Sequence, residues 1–447
     1  LIKEAMQFYI KTYGCQMNVY DSSRMKALLK SYGGSETEAV EESDIIILNT
    51  CNIREKATEK VYSDLGRIKK MMEKRNRKAA VIVSGCVAQA EGDDIFKRSP
   101  WVDIVVGPQA YHKLPELISS LSQGNRHLSS LEFTKNKKFE ELPVIKNASS
   151  ASEYVTIQEG CNKFCKYCVV PYTRGREFSR PFEEVYTEIL QFVEKGAIEI
   201  FLLGQNVNAY RDKSTGKNLY LVDLLKRISE IKQVKRIRYM TSHPIDMSDD
   251  LIEAHGYLDK LMPQLHLPVQ SGSDAILKHM NRLHTIKRYM DIMDKLKKAN
   301  PNIRISSDII VGYPGETEED FQKTLDVINE VQFSHVYSFK YSPRPGTPAA
   351  RLAQIPEDIK KERLKRLQAL TNAHRKKFNE MALNQNLEVL VTNRGKRPGQ
   401  VIGFSKNLHT VTIDKAENYF GKLINVKINK IISNSLIGEI LSPELVA

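Results

Sequence analysis

Three cysteines, Cys161, Cys165 and Cys168, fall within eight consecutive residues, in the run Glu-Gly-Cys-Asn-Lys-Phe-Cys-Lys-Tyr-Cys. Such a CxxxCxxC loop offers three thiolates from one tight turn. A four-iron cluster ordinarily takes four thiolates, so three would leave one iron open to a small molecule. Zinc would want a fourth ligand nearby, and no other His or Cys lies within ten residues on either side. A structural zinc loop and three unrelated core cysteines are the alternatives. The spacing favours the open cluster over both.

The other three cysteines, Cys15, Cys51 and Cys86, are spaced 36 and 35 residues apart. Each follows a short apolar run and a turn of small residues. Phe8-Tyr9-Ile10 leads into Thr12-Tyr13-Gly14-Cys15, Asp44–Leu48 into Asn49-Thr50-Cys51, and Ala80–Val83 into Ser84-Gly85-Cys86. Strand-like runs alternating with amphipathic stretches predict a parallel α/β sheet. Ligands of such sheets bind beyond the carboxyl ends of the strands. Three cysteines at three strand ends would therefore converge, making a second three-thiolate site. Burial in a core does not explain why all three sit in turns.

The elements that must position these residues follow from the pattern. After the first 123 residues, the stretch 124–150 loses periodicity and reads as a polar linker. Strand-like runs then occur at Tyr154–Glu159, Ile198–Gly204, Arg236–Thr241, Gln264–Val269, Arg304–Val311 and His335–Tyr341. Helical stretches, such as Glu183–Lys195, Leu221–Ile231 and Thr317–Val331, separate them. Six such units predict a partial or full TIM-like barrel, whose chemistry sits on the loops after the strands. The CxxxCxxC follows the first of these strands. A basic helix, roughly Pro356–Met381, comes next. Short strands at Leu387–Val391, Gln400–Phe404, Thr410–Ile413, Lys422–Ile432 and Leu436–Leu441 then predict a small all-β barrel.

The 447 residues suffice for several domains with ordinary cores. No apolar run approaches the roughly 18 residues of a membrane helix, and the first ten residues lack a signal-peptide core. The chain is expected in the cytoplasm, away from membranes, where cysteines serve as metal or redox ligands more often than in disulfides. A net charge of +13 favours an anionic partner such as nucleic acid, although a lysine-rich composition alone would give the same number.

Several longer strings carry a resemblance: Thr12-Tyr13-Gly14-Cys15-Gln16-Met17-Asn18, Asn49-Thr50-Cys51-Asn52-Ile53-Arg54-Glu55-Lys56-Ala57, Tyr172-Thr173-Arg174-Gly175-Arg176-Glu177 and Tyr341-Ser342-Pro343-Arg344-Pro345-Gly346-Thr347-Pro348. With the CxxxCxxC, they resemble the methylthiotransferases, radical S-adenosylmethionine (SAM) enzymes, over nearly the whole chain. Gln-Met-Asn after Cys15 is similar to the MiaB-type group, which acts on N6-dimethylallyladenosine beside the anticodon of tRNA. Sister groups act on a ribosomal protein side chain or on threonylcarbamoyladenosine in tRNA. A non-catalytic RNA-binding zinc protein is the reading that rests on charge and β-barrel alone.

The resemblance implies an N-terminal parallel α/β domain (1–123), a linker (124–150), a partial TIM-like (β/α)6 radical SAM barrel with the basic helix (151–380), and a TRAM RNA-binding β-barrel (381–447). It implies two 4Fe–4S clusters, one on Cys161, Cys165 and Cys168 and one on Cys15, Cys51 and Cys86. Two SAM molecules are spent per product, one as methyl donor to a cluster-borne sulfur and one as radical source. An unactivated C2–H bond needs a radical, and such chemistry belongs to cofactors that the protein binds and orients. Candidate SAM contacts lie at strand ends: Tyr167, Gly204, Gln205, Asn206, Ser242, Gln270, Ser271 and Asp308. Arg282 and Arg344 are candidates for phosphate or substrate. Partners implied are tRNA, a low-potential electron donor and a sulfur source, and the chain is expected to be a monomer. Thr317 with Asp320 reads as a helix cap. In the last domain, the basic loop Asn393-Arg394-Gly395-Lys396-Arg397 suits phosphate. Phe404 and Ile437 stand where relatives commonly carry arginine, and Lys406 with the basic helix is expected to compensate.

Overall fold

The computed structural model describes residues 6–52, 55–75, 78–133, 137–143, 150–214, 216–432 and 435–441. Two compact units emerge. The first comprises Leu1–Asn147, Gln158–Asn162 and Cys168–Arg180. The second comprises Ala148–Ile157, Lys163–Tyr167 and Pro181–Ala447.

The first unit is built on strands β1 (Gln7–Thr12), β2 (Ser35–Glu36), β3 (Ile45–Thr50), β4 (Ala80–Gly85), β5 (Ile104–Val106) and β6 (Leu128–Ser130). All pair parallel, in the order β2-β1-β3-β4-β5-β6. Helices α1 (Gln16–Ser31), α2 (Glu55–Arg75), α3 (Cys86–Glu91), α4 (Asp94–Arg98), α5 (Leu114–Ser122) and α6 (Lys137–Glu141) complete the fold. The uninterrupted apolar run of β3 has a physical reason. Ile45 and Ile47 join one core, with Phe8, Met25 and Tyr111. Ile46 and Leu48 join the other, with Val61, Leu65 and Phe96. Side chains alternate across a strand, so a sheet buried on both faces needs apolar residues at every position.

The stretch 124–150 corrects the linker expectation. Its Leu128–Ser130 is the edge strand β6, in register with β5, and α6 brings a buried Lys138 into the unit. A three-residue edge strand is too short to show a period, and a buried lysine reads as surface. Residues 134–136 and 144–149 lie outside the described residues.

The strand expected over 154–159 also divides. Its first part, β7 (Ser152–Thr156), belongs to the second unit. Its last residues, β8 (Gln158–Glu159), join the first unit. The Cys161 loop and α7 (Val170–Thr173) follow, and β8 then pairs antiparallel with β9 (Phe178–Ser179).

In the second unit, α8 (Phe182–Glu194) leads into β10 (Glu199–Leu203). A two-strand hairpin follows, β11 (Arg211–Asp212) with β12 (Leu219–Tyr220). Then come α9 (Leu221–Ser229), β13 (Arg236–Tyr239), α10 (Asp249–Tyr257), β14 (Gln264–His266), α11 (Asp274–His279), α12 (Ile286–Ala299), β15 (Arg304–Val311), α13 (Glu318–Val331) and β16 (His335–Lys340). Strands β7-β10-β13 form one parallel sheet and β14-β15-β16 another. An isolated parallel bridge, Ile237 to Leu261, links β13 to the stretch just before β14. This is the six-strand βα barrel read from the sequence. The cap on α13 is the expected box: Asp320 N donates to Thr317 Oγ1 (3.1 Å) and Thr317 N to Asp320 Oδ2 (3.0 Å).

Helix α14 (Glu357–Glu380) leads to strands β17 (Asn386–Arg394), β18 (Val401–Ser405), β19 (Thr410–Ile413), β20 (Leu423–Ile432) and β21 (Ser435–Ile440). They close in the order β17-β18-β19-β21-β20. Val389, Val391, Val411, Ile424, Val426 and Ile428 fill the interior. Two buried arginines of β13 hold this small barrel. Arg236 donates to Phe404 O (2.8 Å) and Glu388 O (2.9 Å). Arg238 donates to Lys406 O and Ser405 O (2.8 Å each) while pairing with Glu199 (2.8 Å).

Candidate functional site

Strands β1, β3 and β4 are adjacent and parallel. Cys15, Cys51 and Cys86 each lie just past the carboxyl end of one of them. The turns that bring the thiols together need glycine. Gly14 has φ +98° and Gly85 has φ +90°, a region costly for any residue with a Cβ. An added Cβ on Gly14 would overlap Cys51 Cβ and stand 2.7 Å from its Sγ.

Cys15 caps the N-terminus of α1. Its thiol is hydrogen-bonded to Cys51, which holds its pKa down to about 6 against the opposing effect of burial. Arg174 and the backbone N–H groups of Asn18 and Met17 add to the lowering. Burial pushes Cys86 up, and Arg174 opposes it by charge and by a hydrogen bond. Among the described residues, no three His, Cys, Asp or Glu side chains converge on one point closely enough to chelate a single ion. A cluster does not require that, because each thiolate binds a different iron corner. Three thiols on three strand ends, with one already favouring the thiolate, fit such a group.

Arg174 belongs to a buried network that sequence reasoning missed. Its Nη1 donates to Asp21 Oδ2 (2.8 Å) and to a Glu159 carboxylate oxygen, and its Nη2 to Asn18 Oδ1 (2.7 Å). Lys138 Nζ lies 2.7 Å from Asp21 and 2.9 Å from Glu159. All four charged side chains are at most 2% exposed. Arg174 stood in a quoted motif, but nothing there named its partners. They lie 15 to 156 residues away in the chain.

In the CxxxCxxC loop, Cys161 and Cys168 fall in the first unit and Cys165 in the second. Cys161 N donates to Gly175 O (3.2 Å), and Glu177 N to Asn162 Oδ1 (3.1 Å). In the second unit Cys165 is buried, and Arg282 Nη1 donates to its Sγ (3.8 Å) while Nη2 donates to Pro268 O (2.6 Å). Arg282 is thus a brace of the cysteine loop. Asn281 Nδ2 donates to Lys163 O and Phe164 O, adding a second brace.

The expected SAM contacts of the second unit lie past the strand ends, with one difference, Asp308. Gly204 and Gln205 follow β10, and Asn206 Nδ2 donates to Asp246 Oδ2 (2.8 Å), which Lys163 also pairs (2.7 Å). Ser242 is buried in the loop after β13, which Asn208 stitches to the β10 loop through His243 N and O (2.9 Å each). Gln270, with φ +74°, bonds to β15 through its N–H and carbonyl. Tyr167 packs against Ile276, Met280, Tyr313 and Tyr341.

Asp308, expected at a strand end, sits inside β15 opposite Tyr337, because β15 runs past its short neighbour β14. Ser271 is fully buried, its hydroxyl accepting from Ser273 N (3.2 Å) and facing Thr324. It braces its turn. His243 and His284 pack edge to face 5.8 Å apart. Burial, reinforced by Arg282, keeps both neutral, with His284 lowered to about 3.

On the RNA-facing expectations, Lys406 pairs with Glu388 (3.6 Å) and its carbonyl faces Arg238. In the basic helix α14, Arg363 is buried against Glu316 (2.9 Å) and Arg366 pairs with Glu318 (2.6 Å). Part of its charge is thus spent within the fold. Ile53 and Arg54 of the second motif lie outside the described residues.

Comparison with known proteins places this geometry. Residues 7–107 match the model described as uncharacterized protein family UPF0004, and residues 155–328 match the radical SAM superfamily. The chain is 55% identical over 440 residues to tRNA-2-methylthio-N(6)-dimethylallyladenosine synthase of Rickettsia akari (strain Hartford), covering 97% of this chain and 99% of that protein. It is 54% identical over 441 residues to the protein of the same name from Rickettsia bellii (strain RML369-C), with the same coverage. Among solved structures, it resembles the radical SAM methyltransferase TsrM from Kitasatospora setae, with a TM-score of 0.60 at 12% identity, over 78% of this chain and 74% of that one. The cobalamin-dependent SAM radical enzyme OxsB matches with a TM-score of 0.54 at 11% identity, over 82% and 56%. At such identities these structures speak for the fold alone.

Proposed function

We propose, from the premise that this chain belongs to the family of tRNA-2-methylthio-N(6)-dimethylallyladenosine synthases, that it adds a methylthio group to C2 of N6-dimethylallyladenosine next to the tRNA anticodon. It is an enzyme with a radical SAM domain. Identity to those synthases over nearly its full length carries the reading.

The residues divide the work. Cys161, Cys165 and Cys168 hold one 4Fe–4S cluster, with Arg282 and Asn281 fixing the loop between them. Cys15, Cys51 and Cys86 hold a second, and Gly14 and Gly85 allow the close turns that carry Cys15 and Cys86. When bound, the clusters and SAM supply the radical that opens the C2–H bond and the sulfur and methyl group that replace its hydrogen. Tyr167, Gly204, Gln205, Asn206, Ser242, Gln270, Ser271 and Asp308 are the groups offered to SAM, and Ser271 also shapes the turn that presents Gln270. The neutral His243 and His284 add no charge beside Ser242. The reaction consumes electrons and sulfur, so a low-potential donor and a sulfur source are required partners. The cytoplasm, where thiols stay reduced, suits six metal-binding cysteines. Residues 1–123, 151–380 and 381–447 are the functional divisions, with β6 and α6 of the stretch between the first two joining the first fold, and a monomer suffices.

The deciding experiment is nucleoside analysis of tRNA from a strain lacking this gene. Loss of the 2-methylthio nucleoside, restored by the intact chain, is the expected result. Unchanged 2-methylthio nucleosides would move the substrate to another class, such as a protein side chain.

A further inference from the structure

Four buried charges stand beside the Cys15, Cys51 and Cys86 site without any role assigned above. Arg174, Lys138, Asp21 and Glu159 sum to zero, so they do not serve as a counter-charge. Nor are they good stabilisers, since burying an ion network usually costs about as much as, or more than, apolar packing of the same volume. Their effect is to immobilise one guanidinium. Asp21 and Glu159 fix its Nη1, Asn18 fixes its Nη2, and Gln109 Nε2 donates to the Arg174 carbonyl (3.2 Å). Lys138 in turn holds both carboxylates.

The guanidinium has five N–H donors, and its fixed fork leaves donor capacity toward the thiols. Asn18 Oδ1, which accepts from Arg174, lies 4.0 Å from Cys15 Sγ. Helix α7, which Arg174 ends, packs against α3, which Cys86 opens and where Arg174 also hydrogen-bonds Cys86. Asn18 and Asp21 lie in the first two turns of α1, the helix that Cys15 caps. Arg174 is also six residues past Cys168, and Cys161 N bonds to the carbonyl of Gly175, its neighbour. Cys161 and Cys168 thus share the first unit with this residue and with Cys15, Cys51 and Cys86.

We propose that Arg174 is a positioning residue that donates a hydrogen bond to the sulfur-bearing cluster at Cys86 and anchors the chain carrying Cys161 and Cys168 to the Cys15 helix. This rests on the two-cluster reading above. Hydrogen bonds to cluster sulfurs favour the reduced, more electron-rich state and raise its potential. Glutamine at 174 should therefore lower that potential, and lysine, which keeps charge and a donor but loses the fork, should lower it less.

The test uses the full chain with Cys161, Cys165 and Cys168 changed to alanine, reconstituted anaerobically with iron and sulfide. Iron count and an EPR-monitored redox titration are read with Arg174 intact, with R174Q and with R174K. The expected result is about four irons per chain, with a potential more negative in R174Q than with Arg174, and R174K between them. Absence of iron with Arg174 intact overturns the two-cluster reading and this inference with it. Four irons with the parental potential in R174Q overturns this inference alone. If R174Q loses its iron, R174K decides: a lowered potential upholds the proposal, and the parental potential or no iron overturns it.

Discussion

At the scale of single residues, the site depends on where a side chain is absent as much as on where a thiol is present. Gly14 adopts φ +98° with Cys51 directly against its Cα. Alanine there would add roughly 1–3 kcal/mol of backbone strain and displace Cys51. Gly14→Ala is expected to lose about half the iron of the reconstituted enzyme, about four of eight, while keeping the cluster at Cys161, Cys165 and Cys168. Iron analysis alongside circular dichroism checks this. Glu153 gives a pH prediction. Burial raises its pKa from 4.5 to about 7, against a hydrogen bond from Ser150 N and the charge of Lys195. The folded chain therefore holds a proton that the unfolded chain gives up between pH 4.5 and 7, and stability falls as pH rises through that window. Glu153→Gln should flatten this part of a plot of Tm against pH and raise Tm at pH 8.

At the scale of elements, one pattern serves both cysteine sites: strand, short turn, cysteine. In the first unit three neighbouring parallel strands repeat it, so the thiols come together through sheet order. Parallel pairing points all carboxyl ends the same way. The barrel helices are held by local devices, of which the Thr317–Asp320 box on α13 is the clearest. Removing it with Thr317→Ala should cost about 1 kcal/mol, measured as a lowered denaturation midpoint with an unchanged slope. Asp320 also accepts from Ser273 Oγ, so Asp320→Ala should cost more than Thr317→Ala by disturbing the turn after Gln270. These boundaries were legible because caps and strand alternation are local. The break at Ile157 was not, because it is set by which partner each half of the strand pairs with.

At the scale of the molecule, the second unit joins two barrels through buried arginines beside a small apolar cluster of Ala151, Ile198, Leu390 and Leu423. Arg238 is fully buried, with Glu199 and two carbonyls of the small barrel as its acceptors. Arg238→Ala leaves Glu199 buried and unpaired, a loss of about 3–5 kcal/mol. Thermal unfolding should show a large drop in Tm, and Arg238→Ala with Glu199→Gln should recover part of it. The carbonyls of Phe404, Ser405 and Lys406 all accept from the SAM barrel, so this segment docks the domain, whatever its side chains offer to RNA.

What the sequence by itself determined were the six cysteines, the strand–turn–cysteine repeat, the βα alternation and the closing β-barrel, together with the family they resemble. Each is written in neighbouring residues, where turn chemistry, capping and alternation act. Only the tertiary structure decided that β1, β3 and β4 lie side by side, that Leu128–Ser130 completes the first sheet, that Arg282 braces Cys165, and that Arg174 is pinned among Asp21, Glu159 and Asn18. The physical reason is common to all four. A buried charge or an edge strand is specified by partners distant in the chain, and desolvation makes those partners obligatory only once the chain has folded around them.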